Sequence, residues 1–437
     1  MFSYYLRLAW LSLKQTPVLS ALMVLAMAVG IGVAGTTLTV YHSMNHNPYA
    51  HKNNQLYAVQ LKTAPADNRA PTADGLNVQL TYQDAVNLLE LPGSHRRSAM
   101  IRANMTIQPE QQELLPFTAG GRAADSDFFA MFEARFQYGN AWRASVDTLA
   151  EPVVVISDSL NHKLFGGANS VGRTINANGF QYTVVGVLSP FNPQPLVYDL
   201  NNGAFRDVEE MFFPFSLLPV QEVQSWGNTD GWKSEAINSY QDMLNSEKMW
   251  VQFWAEFRTP QKKQLFEQAL QGYIDQQQAL GRLPDPDAPY SLRTVQQWLS
   301  YNQVVGNDNR VLVGLSFLFL LVCLVNMVGL LLAKFLRRAP QIGVRRALGA
   351  SQRQIFVQHL VEVALIGVIG GVVGALLSQL GLAGLRSVYA NYDTLASMDL
   401  SVFLMLLALS GAAAVLAGLL PAWRICRTAP SYHLKTQ

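Results

Sequence analysis

The chain has 437 residues, of which 50% are hydrophobic and only 14% charged. A soluble protein carries about a quarter charged residues, so part of this one belongs in lipid. A net charge of +2 excludes the basic excess of a nucleic-acid binder, and without a G-x-x-x-x-G-K-[ST] phosphate loop, an H-E-x-x-H or a G-x-S-x-G the sequence offers no nucleotide cradle, zinc-peptidase helix or hydrolase elbow.

Residues 1–16, MFSYYLRLAWLSLKQT, mix Leu, Trp and Tyr with Arg7 and Lys14, the pattern of an amphipathic interfacial helix. Residues 17–42 read as the first membrane helix. Their apolar run, Val18 to Val40, is too long for a signal-peptide core and is expected to stay as an anchor. His42 and His46 stand one helical turn apart at its end but lack a third ligand, so they read as a polar cap and not as a metal site.

Residues 43–309 contain no apolar run long enough to span a bilayer and read as a mixed α/β domain of two lobes. Gln55 to Leu61 predicts a strand, Tyr82 to Leu91 a helix and Ser94 to Pro109 a returning strand. Pro152 to Ile156 and Gln181 to Leu188 predict strands around Gly166, Gly167, Gly172 and Gly179, a lobe rich in tight turns. From Trp250 to Arg258 the chain alternates, with Val251, Phe253, Ala255 and Phe257 on one face. Thr259 then caps and Pro260 opens a helix whose stripe, Leu265, Phe266, Ala269, Leu270, Tyr273 and Ile274, runs to Gly281. The domain has no cysteine, since Cys323 and Cys426 lie in or beside membrane segments, so its core alone must hold it.

Residues 310–336 predict the second membrane helix, 337–354 a basic helical linker, 355–385 the third membrane helix, 386–400 a short loop, 401–421 the fourth membrane helix and 422–437 a tail. Arg7 and Lys14, then Lys334, Arg337, Arg338, Arg345, Arg346 and Arg353, then Arg424, Arg427 and Lys435 fall on three stretches without an acid. The excess of basic residues on cytoplasmic loops therefore predicts both termini inside and residues 43–309 outside.

Within the linker, Pro340 blocks continuation of the second helix. Ile342, Val344, Leu348 and Ile355 are apolar while Arg345, Arg346 and Arg353 are charged, an amphipathic pattern that suits either docking in a partner's groove or lying on anionic headgroups. Gly343 and Gly349 permit close approach or turning. Glu362 is the one acid inside a membrane segment. At a cost of a few kcal/mol it requires a partner, and Gln358, one turn earlier, and the nearby basic linker are the candidates for an anchoring contact. Asn326 reads as an interhelical polar contact. Gly367 and Gly371, overlapping with Gly370 and Gly374, form two G-x-x-x-G spacings; Gly30, Gly32 and Gly35 crowd the first helix and Gly411 to Ala414 the fourth, so close helix packing is expected.

The linker QIGVRRALGAS (Gln341 to Ser351), with Asn326 upstream and QHLVEVALIGVIGG downstream, resembles the E-I-G-x-R-R-A-L-G-A signature of the FtsX/MacB superfamily of ABC-transporter permeases, the type VII group. Tyr4 to Ala34 is similar to the family's first helix, Ser126 to Trp142 and Val153 to Leu188 to motifs of the MacB-type periplasmic domain, and Pro421 to Pro430 to its closing cytoplasmic segment. The resemblance implies a membrane α-helical fold of four transmembrane helices, with a large mixed α/β periplasmic domain of two lobes inserted between helices 1 and 2, in the bacterial inner membrane. It implies a dimer with a second copy or a paralogue, driven by a separate ABC ATPase dimer that binds ATP and Mg, with no cofactor on this chain. A short stretch precedes the first helix here, where some members carry a fused ATPase, so the chain is expected to be a stand-alone permease. Gln341, Ile342, Gly343, Arg345, Arg346, Ala347, Leu348 and Gly349 take the place of the ATPase-coupling residues; Gln341 departs from the family's acid, which removes any salt bridge that the acid would make.

Two functions are compatible with this resemblance. One is the permease of an exporter that relays ATP-driven motion to its periplasmic domains, with a periplasmic adaptor and an outer-membrane channel as possible partners. The other is a transmembrane transducer that regulates a periplasmic partner without transport. The size of the inserted domain favours the exporter, whose branch includes macrolide, peptide and lipoprotein systems. Nothing in the sequence names a substrate.

Overall fold

The computed structural model describes residues 2–65, 67, 72, 74–110, 114–285, 287, 289–388, 398 and 400–427. The chain divides into two compact units: Met1–Asn45 with Val305–Gln437, and His46–Val304.

The inserted unit is built on one continuous sheet. Its strands are β1 (Leu56–Leu61), β2 (Leu80–Thr81), β3 (Arg96–Gln108), β4 (Phe117–Ala124), β5 (Phe136–Gly139), β6 (Val153–Ile156), β7 (Thr174–Ala177), β8 (Phe180–Leu188), β9 (Met211–Pro214), β10 (Met249–Glu256) and β11 (Tyr290–Thr294). Across the sheet they run β11-β1-β10-β3-β4-β9-β6-β8-β5, with β2 beside β10 and β7 beside β3 and β8. The two expected lobes share this sheet because β3 is long enough to serve both. Its first half pairs with β10, from Arg96 opposite Glu256 to Met100 opposite Gln252, and its last residues pair with β7. The strand-helix units near residues 56 and 250 thereby meet, since β1 also pairs with β10.

The alternating pattern of 250–258 does not mark a solvent-facing side. All eight residues of β10 are buried. Val251, Phe253, Ala255 and Phe257 face a core that includes Leu88 of helix Tyr82–Leu89 and Phe266 and Leu270 of helix Pro260–Ala279; Trp254 faces a second core with Phe128, Phe132 and Trp298. With both faces covered the strand keeps its period of two, and the polar residues of the second face, Gln252 and Glu256, are buried against Asp199 and against Lys52 and Arg96 instead of facing solvent. In helix Pro260–Ala279, Thr259 Oγ1 accepts from the Lys262 amide at 3.3 Å. Phe266, Leu270, Tyr273 and Ile274 are buried, whereas Leu265, expected on the same stripe, is 40% exposed because it sits one residue off that i, i+4, i+7, i+8 face.

The membrane unit consists of an amino-terminal helix, Phe2–Gln15, the first membrane helix, Pro17–Met44, the second, Asn307–Arg337, a short helix, Ala339–Ala347, the third, Gln352–Val388, and the fourth, Leu400–Arg427. Among the described residues, four helices are long and apolar enough to cross a membrane. The glycines explain which helices meet. A β-carbon at Gly370 would lie 2.7 Å from Met27 Cγ and one at Gly374 2.8 Å from Ile31 Cβ, both on the first helix; one at Gly367 would lie 2.5 Å from Ala414 Cβ and one at Gly371 2.8 Å from Ser410 Cβ, both on the fourth. The two overlapping spacings thus form two faces of one helix, packed between two neighbours. Gly30 does the same toward Leu320 and Cys323 of the second helix. Gly411 has open space at its own β-carbon position.

Candidate coupling site

The linker's geometry follows from three local signals. The second membrane helix stops at Arg337 and a new helix starts at Ala339, with Pro340 in its first turn, where the missing amide costs nothing. That helix ends at Ala347, and two residues on Gly349, with a φ of +99°, turns the chain so that the Gly349 and Ala350 amides donate back to the carbonyls of Arg346 (3.1 Å) and Arg345 (3.0 Å). Ser351 then opens the third membrane helix: its Oγ accepts from the Gln354 amide at 3.2 Å, and its own amide donates to Gln354 Oε1 at 3.0 Å. The S-x-x-Q spacing of this capping box is legible in the sequence at Ser351 and Gln354.

The apolar linker residues divide into two sets. Ile342 and Ile355, 8% and 4% exposed, turn into the helix bundle, while Val344 and Leu348, 52% and 83% exposed, turn away from it. Gln341 is exposed, Arg345 Nη1 donates to Gln358 Oε1 at 3.2 Å, and Arg346 Nη1 donates to the Cys426 carbonyl at 3.4 Å. At Gly343 a β-carbon would meet nothing within 4 Å. The side chain of Ala347 lies outside the described residues.

Directly behind the linker is a buried charge cluster centred on Glu362. Lys334 Nζ of the second helix lies 2.6 Å from Glu362 Oε1, and both side chains are buried. Ser12 Oγ of the amino-terminal helix donates to the same oxygen. Arg338 Nη1 donates to Ser12 Oγ and lies 3.9 Å from the carboxylate, while its Nη2 donates to the Ser12 carbonyl at 2.8 Å and to Gln15 Oε1 at 3.1 Å. His359 Nδ1 is 3.6 Å from Glu362 Oε2, beyond hydrogen-bond reach, with its ring against Phe335. One carboxylate therefore ties together the amino-terminal helix, the end of the second helix, the residue before the linker and the third helix. Such a buried pair contributes little net stability against an apolar substitute, but removing one partner costs about 3–5 kcal/mol.

Two expectations need correction. Of the two candidate partners of Glu362, the basic one is found, with Lys334 at 2.6 Å and Arg338 of the linker at 3.9 Å, whereas Gln358 is not a partner because it bonds Arg345 instead. Asn326 makes no interhelical hydrogen bond to another described residue. The inward stripe of the second helix is Leu320, Cys323, Met327 and Leu331, and Asn326 sits one residue off it, exposed. Lys334 and Ser12 were missed: Lys334 reads as an ordinary basic helix end, and nothing local to either residue points to an acid on another helix.

The inserted unit has its own buried cluster. Arg122 Nη2 and Arg206 Nη2 each contact both Asp199 and Glu209. Burial pushes the Glu209 carboxyl up, but Arg122 and Arg206 outweigh it and hold the group at about 2. The cluster borders a cleft of about 920 Å³, on which the Arg102 guanidinium lies 4.1 Å from the ring centre of the exposed Trp226.

A bundle of membrane-length helices with a basic linker, and an α/β domain inserted in sequence between the first two of them, defines a multi-pass membrane protein of the inserted-domain class. Residues 20–273 match the MacB-like periplasmic core domain and residues 313–430 the FtsX-like permease C-terminal domain, so the chain belongs to the FtsX/MacB-like family of ABC-transporter permeases and is a multi-pass membrane protein. It is 23% identical over 83% of its length to a macrolide export ATP-binding/permease protein MacB of Syntrophobacter fumaroxidans, of which it covers 53%, and 24% identical over 70% of its length to the ABC transporter permease YvrN of Bacillus subtilis, of which it covers 67%. The chain thus spans about half the length of that MacB relative. The crystal structure of the periplasmic region of MacB from Actinobacillus actinomycetemcomitans aligns with 58% of this chain and 94% of its own at 13% identity and a TM-score of 0.36.

Proposed function

We propose that this chain is the permease subunit of an exporter, with residues 341–349 seated in a groove of a separate ATPase and both termini on the cytoplasmic side. The observation that carries the reading is Leu348, a large apolar side chain 83% exposed at the tip of the linker, next to exposed Val344, on a helix whose other apolar side is already used inside the bundle. Behind it, the Glu362 cluster joins the linker to the second and third membrane helices, so a push on Leu348 has rigid elements to act on. The second helix is continuous in sequence with the inserted domain, and motion relayed along it would open and close paired external domains. The macrolide-export relatives suggest an amphipathic small molecule as cargo.

Leu348→Asp tests the docking. A charge buried unpaired in an apolar groove costs several kcal/mol, so the variant should fold normally and lose co-purification of the ATPase; full retention of the ATPase with unchanged transport would reduce the linker to an interfacial helix. Orientation is tested separately with Asp230→Cys, exposed in the inserted domain: labelling by a membrane-impermeant maleimide is expected from the periplasmic side, and labelling only after the inner membrane is opened would reverse the topology.

A further inference from the structure

Between the amino-terminal helix, the linker helix and the start of the third membrane helix lies a cavity of about 240 Å³. Its polar lining includes Arg338, Arg345 and Gln341, its apolar lining Leu8, Leu11 and Ile355, and no acid is among the residues that line it. The nearest acid, Glu362, lies behind Arg338 and is already neutralised by Lys334 at 2.6 Å. Arg338 is fixed by Ser12 and Gln15, whereas Arg345 makes one bond, to Gln358, and remains exposed with donors to spare. By sequence the cavity sits where three helices leave the apolar span. The adjoining helix Phe2–Gln15 exposes Tyr4, Leu6, Trp10 and Leu11, side chains that favour the headgroup boundary.

We propose that this cavity is a binding site for an anionic phospholipid, its phosphate held between Arg338 and Arg345 and its acyl chains running along Leu8 and Leu11. A two-arginine fork matches phosphate oxygens, and basic pockets between membrane helices select acidic headgroups over zwitterionic ones. The bound lipid would brace the linker helix against the amino-terminal helix. It is a structural ligand of the bundle and not cargo.

The test is native mass spectrometry of the full-length protein released from nanodiscs containing equal phosphatidylglycerol and phosphatidylethanolamine. The wild type is expected to retain phosphatidylglycerol several-fold over phosphatidylethanolamine, and Arg345→Gln and Gln341→Glu, both at exposed positions that leave the Glu362 cluster intact, should bring the ratio to near parity. Arg353→Gln, a basic residue of the same stretch that does not line the cavity, should leave it unchanged. Excess inorganic phosphate should not displace the lipid; displacement would mean a free-phosphate site. Equal retention of both lipids by the wild type, an equal loss in Arg353→Gln, or expulsion of the lipid when the ATPase binds would each overturn the proposal, the last by making the cavity part of the protein interface.

Discussion

The two units solve the same packing problem with opposite residues. In the membrane unit, helices meet where side chains are missing: a β-carbon at Gly367, Gly370, Gly371 or Gly374 would lie under 3 Å from a neighbouring helix. In the inserted unit, close contact comes from the largest side chains, as where Phe128 packs edge-on to Tyr198 at 5.2 Å and Phe132 edge-on to Trp254 at 5.6 Å. The difference follows from the solvent. Burying an aromatic ring from water is itself favourable, at roughly 25 cal/mol per Å² of apolar area. In lipid that gain vanishes, and attraction between helices depends on how closely their backbones approach. Yet both units bury charge, one pair at Glu362 and Lys334 and one quartet at Arg122, Asp199, Arg206 and Glu209.

The sharpest way to test this comparison is to break the membrane pair. Glu362→Gln leaves the Lys334 ammonium buried without a counter-charge, and a loss of about 3–5 kcal/mol is expected, read as a lowered thermal midpoint in fixed detergent. The double variant Glu362→Leu with Lys334→Met should recover most of it. An unchanged midpoint in the single variant would mean that the pair is hydrated and not buried.

The quartet should reveal itself through pH. Glu209 is held at about 2 against an ordinary 4.5, so it stabilises the fold above pH 4.5, and that stability drains away as pH falls from about 4.5 toward 2. Arg122→Met removes one cation and should move the acid transition to higher pH. Six of the eight tryptophans lie in the inserted unit, so intrinsic fluorescence follows it selectively. An acid transition identical in the two proteins would show that the quartet does not set it.

Smaller effects are expected at the helix seams. Gly367→Leu forces a side chain against Ala414 and should cost about 1–3 kcal/mol. Gly329→Leu, on the second membrane helix with nothing within 4 Å of its β-carbon, should stay within about 0.5 kcal/mol of the parent. If both variants behaved alike, glycine would be present only as a common residue of membrane helices and not as a packing device.

By itself the sequence determined what is local or cumulative. Four apolar runs identify four membrane helices because span length and hydropathy need no partner, and the strand at 250, the Thr259 cap and the helix after Pro260 follow from period and turn chemistry. The break at Pro340 and the turn at Gly349 were legible for the same reason, since both act through their own backbones, but the linker helix they bound, Ala339–Ala347, is shorter than the expected 337–354. The tertiary structure alone decided the pairings. That β3 serves both lobes, that Gly367 faces the fourth helix and Gly370 the first, that Glu362 answers to Lys334 and Ser12 instead of Gln358, and that Asn326 points away from the bundle all depend on residues far apart in the chain. Periodicity specifies a face but not its neighbour, and a buried charge specifies the need for a counter-charge but not which of several basic residues the packing will bring within 3 Å of it.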